Sequence, residues 1–254
     1  MDTEMAFGVY RIADKNIAIS TIHEDTHILC KDYRTDDSAA VDLTVEIIQA
    51  DIDTEREKSK AEDEFENLPH REFSDGYLET LAVYRKISSE MLQYGTFLFH
   101  GSAVAVDGET YLFTAKSGTG KSTHTRFWRE KFGERAVMVN DDKPLIHVGE
   151  DKKVTIYGTP WNGKHRLGTN IGLPLKAVCI LTRDSCNHIE KITASEAFPM
   201  LLQQSNRPAE PQLLMRTLDL LDALSANVGL YRLGCLPNLE AADVAYAGMQ
   251  DAAK

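Results

Sequence analysis

The residues best suited to chemistry lie in TAKSGTGKST, positions 114–123. Gly118 and Gly120 allow a backbone to wrap tightly enough that its N–H groups face an anion. Lys121 adds a flexible positive charge that reaches terminal phosphates, and Ser122 adds a hydroxyl suited to Mg2+. Ser117, Thr119 and Thr123 complete the cradle. This is the pattern of a P-loop, in which clustered amides and the positive end of the next helix hold phosphate groups. Ala115 stands where the usual pattern has its first glycine, a departure that costs little if φ is negative there.

Phosphoryl transfer also needs groups that hold the metal and orient the attacking hydroxyl. Twenty residues after Lys121, the apolar run AVMV (136–139) ends in Asn140-Asp141-Asp142. Two carboxylates at the carboxyl end of a core strand stand on the sheet edge where ligands bind in nucleotide folds. One would support Mg2+ and the other would accept a proton. DDKP is also a good turn, but the glycine loop upstream favours the chemical reading. His100, which ends TFLFH, is placed to donate a hydrogen bond or tune the base. In GTPWNGKHRLGTN (158–170), three glycines and Pro160 predict a loop, and Lys164, His165 and Arg166 give it local positive charge. It reads as a lid or substrate loop in which Lys164 or Arg166 stabilises transferred charge, with Trp161 packing the loop.

These groups need elements to carry them. TFLFHGSAVAV and ETYLFTA flank Asp107-Gly108, a hairpin signal that makes the sheet mixed. STHTRFWREK reads as the helix after the glycine loop and Gly133 as its stop. LIHV and VTIYG flank GEDKK as a second hairpin, and AVCILT (177–182) is a buried strand. Thr193 and Glu196 have capping-box spacing, PQLLMRTLDLLDALSA predicts an amphipathic helix, VGLYRLGC a strand, and Asn238 the cap of a terminal helix. Upstream, AFGVYRI, NIAIST, HILCKDY and LTVEIIQ read as strands of a β-rich N-terminal subdomain, residues 1–94. TEREKSKAEDEFEN (54–67) reads as a solvated loop or exposed helix. Leu78, Leu81, Tyr84, Ile87, Met91 and Leu92 then recur at helical spacing behind a Ser74 or Asp75 cap. Residues 95–254 are expected to form the second, P-loop domain.

The formal net charge of −11 argues against a general nucleic-acid or anionic-membrane binder. The N-terminus lacks signal-peptide character and no run reaches membrane-spanning length, so a cytoplasmic protein is expected. Four scattered cysteines, with no CxxC pair and no histidine at zinc spacing, point to reduced thiols rather than disulfides or a metal site.

His100-Gly101 closing a strand, SGTGKST (117–123) and Asp141-Asp142 closing the next strand resemble the HPr kinase/phosphorylase and phosphoenolpyruvate carboxykinase superfamily. The likeness is closest to small HPr-kinase-like proteins in which HGSAV, SGTGKSTHT, NDDKP and GTPWNGKH occur together. It implies an α/β, mixed-sheet P-loop nucleotide domain and phosphoryl transfer from ATP with Mg2+. Carried over, Lys121 and Ser122 bind phosphate and metal. Of Asp141 and Asp142, one is the base and the other a metal partner, with His100 beside them. The implied activity is a kinase acting on a hydroxyl of a small molecule, peptide or protein serine. The signature that accompanies the reverse phosphorylase reaction is missing downstream. Two alternatives stand beside it: a non-catalytic nucleotide sensor, and a carboxykinase-like enzyme, whose dicarboxylate-binding basic residues and extra metal ligands are not found.

Overall fold

A computed structural model describes residues 5–65 and 69–250. The chain divides into two compact units, Met1–Glu90 and Met91–Lys254.

In the first unit, β1 (Ala6–Ile12) and β2 (Lys15–Thr21) form an antiparallel hairpin, α1 (Asp25–Leu29) follows, and β3 (Leu43–Glu46) pairs in parallel with β2. Two long helices, α2 (Gln49–Phe65) and α3 (Asp75–Glu90), complete it. HILCKDY, expected as a strand, is instead α1 and a 3-10 turn. His27, Cys30 and Tyr33 recur every third residue and are all buried, a helical spacing that the local apolar run disguises. His27 is fixed by the Tyr10 hydroxyl at 2.6 Å and by Thr21 Oγ1 at 2.8 Å. The charge-dense stretch is helical through Phe65, and its last two residues lie outside the described residues. Buried Glu55 is matched by Arg85, which donates two hydrogen bonds at 2.5 and 2.8 Å. Ser74 Oγ accepts from Tyr77 N at the start of α3.

The second unit is a mixed α/β domain. Its elements are β4 (Thr96–Leu98), β5 (Ser102–Val106), β6 (Glu109–Thr114), α4 (Lys121–Phe132), β7 (Ala136–Asn140), β8 (Leu145–Val148), β9 (Val154–Tyr157), β10 (Gly172–Arg183), β11 (His188–Lys191), α5 (Ala194–Gln204), α6 (Pro211–Asn227), β12 (Gly229–Cys235) and α7 (Glu240–Gly248). The strand order is β4-β8-β9-β10-β6-β5-β7, with β12 added to β10 and β11 to β12. Alternate residues serve two cores. Ala103, Leu112 and Val178 pack toward α5 and α6, through Leu201, Leu221 and Leu224. Val104, Phe113 and Cys179 pack toward α4 and α7, through Trp128, Ala242 and Ala245. Helices therefore cover both faces, which is why these strands read as continuous apolar runs. Asp107 and Gly108 both take positive φ at the β5–β6 turn, and the Thr193–Glu196 capping box forms at α5.

Two features were not legible in the strand pattern. TFLFHGSAVAV is two strands, because β4 pairs with β8 whereas β5 pairs with β6 and β7. The chain switches at Gly101, where a Cβ would stand 2.7 Å from Leu112 Cδ1 and 3.0 Å from the Phe113 carbonyl oxygen. In addition, β7 does not neighbour β6: β5 runs antiparallel between them. The carboxyl ends of β6 and β7 and the amino end of β5 thus share one edge. β10 and β12 run parallel to β6 and end there too.

Overfilling this switch point should be costly. Gly101→Val is expected to destabilise the second unit by about 1–3 kcal/mol, read as a lower urea midpoint with an unchanged slope.

Candidate functional site

The glycine loop leaves β6 at Ala115 and enters α4 at Lys121. Ala115 is fully buried among the core residues beside Phe113 and Trp128, and its φ is not positive. Its methyl group fills the core where the common pattern has glycine. Gly118 and Gly120 do the left-handed work, with φ of +73° and +119°. No atom lies within 4 Å of a Cβ built on Gly118, so this loop faces open space. The first intrahelical bond of α4 is donated by His124 N to the Gly120 carbonyl at 2.9 Å. The amides of Lys121, Ser122 and Thr123 precede it in the first turn, where helical amides lack intrahelical partners and carry the positive end of the dipole. His124, in contrast, is a core residue. It accepts a hydrogen bond from Trp128 Nε1 at 3.0 Å and meets Phe113 edge-on. Burial pushes its pKa down to about 3, so it is neutral.

Lys121 is half-buried and donates to the Ala115 carbonyl at 3.2 Å. Burial lowers its pKa, with the charge of Asp142 acting in the opposite direction. A half-desolvated ammonium is well matched to an anion. Ser122 and Ser117 are exposed on the same loop.

The two aspartates diverge. Asp141 is buried and accepts from Gly163 N at 2.6 Å. The absence of a side chain at Gly163 eases this approach, since a Cβ would stand 2.9 Å from Asp141 Oδ2 and the carboxylate would have to shift. Asp142 faces His100, with Nε2 3.3 Å from Oδ1, and lies 3.8 Å from Lys143 Nζ. Burial pushes its carboxyl up, but the His100 hydrogen bond and the charges of Lys143, His100 and Lys121 outweigh it and hold it below the usual range. His100, Lys121 and Asp142 are thereby gathered in one electrostatic neighbourhood.

Sequence reading missed the residue that sets this geometry, Asn140. Its Oδ1 accepts from Asp142 N at 2.8 Å and Lys143 N at 2.6 Å. Its Nδ2 donates to Thr159 Oγ1 at 3.0 Å, and Thr159 Oγ1 donates to the Lys143 carbonyl at 2.8 Å. This buried clasp ties the aspartate turn to the 158–170 loop. The Asn-Asp-Asp turn chemistry was its only local signal. Arg183 was missed as well: it donates to the Gly118 carbonyl at 2.7 Å from the end of β10, a link no sequence spacing reveals. Trp161 is buried. Lys164 and Arg166 are exposed, and neither side chain makes an ion pair among the described residues. The same loop reaches the site through Gly163.

Beside the glycine loop lies an open cavity of about 430 Å³. Gly120, Thr123 and Phe127 form one side of it, and Leu181, Arg183 and Pro237 line it from the ends of β10 and β12. Its size suits a small ligand.

No protein-family model and no curated protein matches the chain. Among solved structures, the chain is similar to the HPr(Ser) kinase/phosphatase from Coxiella burnetii, with 12% identity and a TM-score of 0.32, over 59% of this chain and 89% of that one. No helix among the described residues is long and apolar enough to cross a membrane.

The balance at Asp142 has a measurable sign. Its folded pKa is depressed, so its ionisation stabilises the fold above the ordinary carboxylate range, and that contribution is lost as pH falls through the folded value. His100→Ala removes the hydrogen bond and leaves the burial. The Asp142 carboxyl pKa, followed by carbon-13 NMR titration, is expected to rise in this variant.

Proposed function

We propose that the chain is a P-loop phosphotransferase that transfers the γ-phosphoryl group of ATP, with Mg2+, to a hydroxyl of a small molecule, peptide or protein serine. The observation that carries this reading is the gathering of Lys121, Asp142 and His100 on one sheet edge, beside a glycine loop that opens onto the start of α4.

The residues fit both groups. An exposed Ser122 hydroxyl and a carboxylate kept ionised are hard oxygen donors of the kind Mg2+ takes. The loop amides, the α4 dipole and Lys121 suit phosphate. When bound, ATP supplies the phosphoryl group and Mg2+ neutralises its charge. The cavity beside Phe127 and Pro237 would hold the base and ribose.

Lys121 balances charge at the terminal phosphates, where its half-buried setting strengthens the attraction. Asp142 is the metal partner with Ser122, because a depressed pKa suits a ligand better than a base. Asp141, oriented by Gly163 N, takes the acceptor's proton. His100 keeps Asp142 ionised and in place. Lys164 or Arg166 stabilises the transferred charge when the 158–170 loop meets its acceptor. A nucleotide sensor would need the phosphate loop and a metal ligand, but not a second, oriented carboxylate beside them.

A pooled metabolite and peptide library, searched by mass spectrometry for phosphate-shifted products, tests this reading. Lys121→Ala is expected to weaken ATP binding by on the order of 100-fold. Asp141→Asn should retain binding and lower turnover by roughly 10²–10⁴-fold. ATP binding without turnover on any acceptor, or full activity in both Asp141→Asn and Asp142→Asn, would overturn it.

A further inference from the structure

We infer that Asp184, Cys186 and His188 form a second cation site, for a transition-metal ion of the zinc class, against the expectation from cysteine spacing that the thiols hold no metal. One carboxylate oxygen, the thiol and one imidazole nitrogen lie within 4.8 Å of one another, and all three residues are exposed. Cys186 Sγ is 3.8 Å from His188 Nδ1, and Asp184 Oδ2 is 4.0 Å from the other ring nitrogen, Nε2, so an ion that takes one of the two nitrogens needs the opposite donor to swing toward it. Tetrahedral zinc, with bonds of about 2.0–2.3 Å, needs ligand separations of roughly 3.3–3.7 Å. Small side-chain rotations close the remaining gap.

The cluster arises from the connection between β10 and β11. The chain bends at Ser185 and Cys186 as it reverses from β10 into β11, and this turn, not an extended run, brings the D-x-C-x-H donors together. The segment is anchored. Asn187 Nδ2 donates to Asn238 Oδ1 at 3.0 Å and to Glu240 Oε2 at 2.8 Å, and its Oδ1 accepts from Leu236 N at 2.9 Å. Asp184 N donates to the Cys235 carbonyl at 3.3 Å. Asp184 Oδ1 accepts from Ser185 N, leaving Oδ2 as the oxygen toward His188. The His188 ring occupies space that a side chain at Gly234 would fill, with Cε1 2.3 Å from that Cβ position.

The donor chemistry selects the ion. Thiolate and imidazole favour zinc-class metals over Mg2+, which takes oxygen ligands. Three protein ligands leave the fourth position for water, as in open zinc sites. Binding breaks the Cys186 S–H bond, forms a sulfur–metal bond and releases the proton to solvent, so affinity falls as pH is lowered. None of these donors belongs to the Lys121–Asp142 cluster, although Asp184 also lines the cavity beside the glycine loop; the metal titration reads the site without any nucleotide.

The test titrates the full chain, stripped of metal, with Co2+ and then Zn2+. One equivalent of Co2+ is expected to produce a thiolate-to-cobalt charge-transfer band that Zn2+ bleaches. Cys186→Ser should abolish the band and Cys235→Ser should retain it. Asp184→Asn and His188→Ala should each weaken affinity tenfold or more, with unchanged circular dichroism. Absence of the band at one equivalent, its persistence in Cys186→Ser, its loss in Cys235→Ser, or undiminished affinity in both other variants would overturn the inference.

Discussion

Where Gly101 meets β6, the backbone lies so close to Leu112 and to the Phe113 carbonyl that even a methyl group would overlap them. That close approach lets the chain leave β4 and begin β5 within three residues. Gly101 N then donates to the Asp142 carbonyl at 3.0 Å, and the His100 carbonyl accepts from Thr114 Oγ1 at 3.1 Å. The same three-residue crossing therefore binds the end of β6 and the turn after β7. Without a side chain at 101, the histidine, the glycine loop and the aspartates can share an edge.

Electrostatics then acts within this geometry. Burial disfavours the charged forms of both Lys121 and Asp142, but each favours the other's ionisation, and His100 adds a hydrogen bond to the carboxylate. Partly desolvated charges interact more strongly than exposed ones, so a small number of groups can set a strong local field in a chain of net charge −11. Within that negative whole, the loop amides and the start of α4 supply a local positive field.

Much of the second unit was legible in its residues. Asp107-Gly108, Gly133, and Thr193 with Glu196 each encode a local conformation through φ preference or side-chain capping, and each forms as its chemistry dictates. SGTGKST likewise lies between a strand and a helix. HILCKDY was misleading because a short apolar run fits either helix or strand. The burial of His27, Cys30 and Tyr33 in the first unit decided it.

The amino-acid sequence by itself determined the glycine loop, the pair of aspartates and the tight turns, because these depend on residue type and near neighbours. Only tertiary structure decided that β5 separates β6 from β7, that Asn140 and Thr159 clasp two loops, and that Arg183 holds the Gly118 carbonyl. Those outcomes join residues far apart in the chain through backbone pairing and burial. Ala115 shows both sides: its side chain alone looked like a defect in a phosphate loop, whereas the core around it makes the methyl group part of the packing.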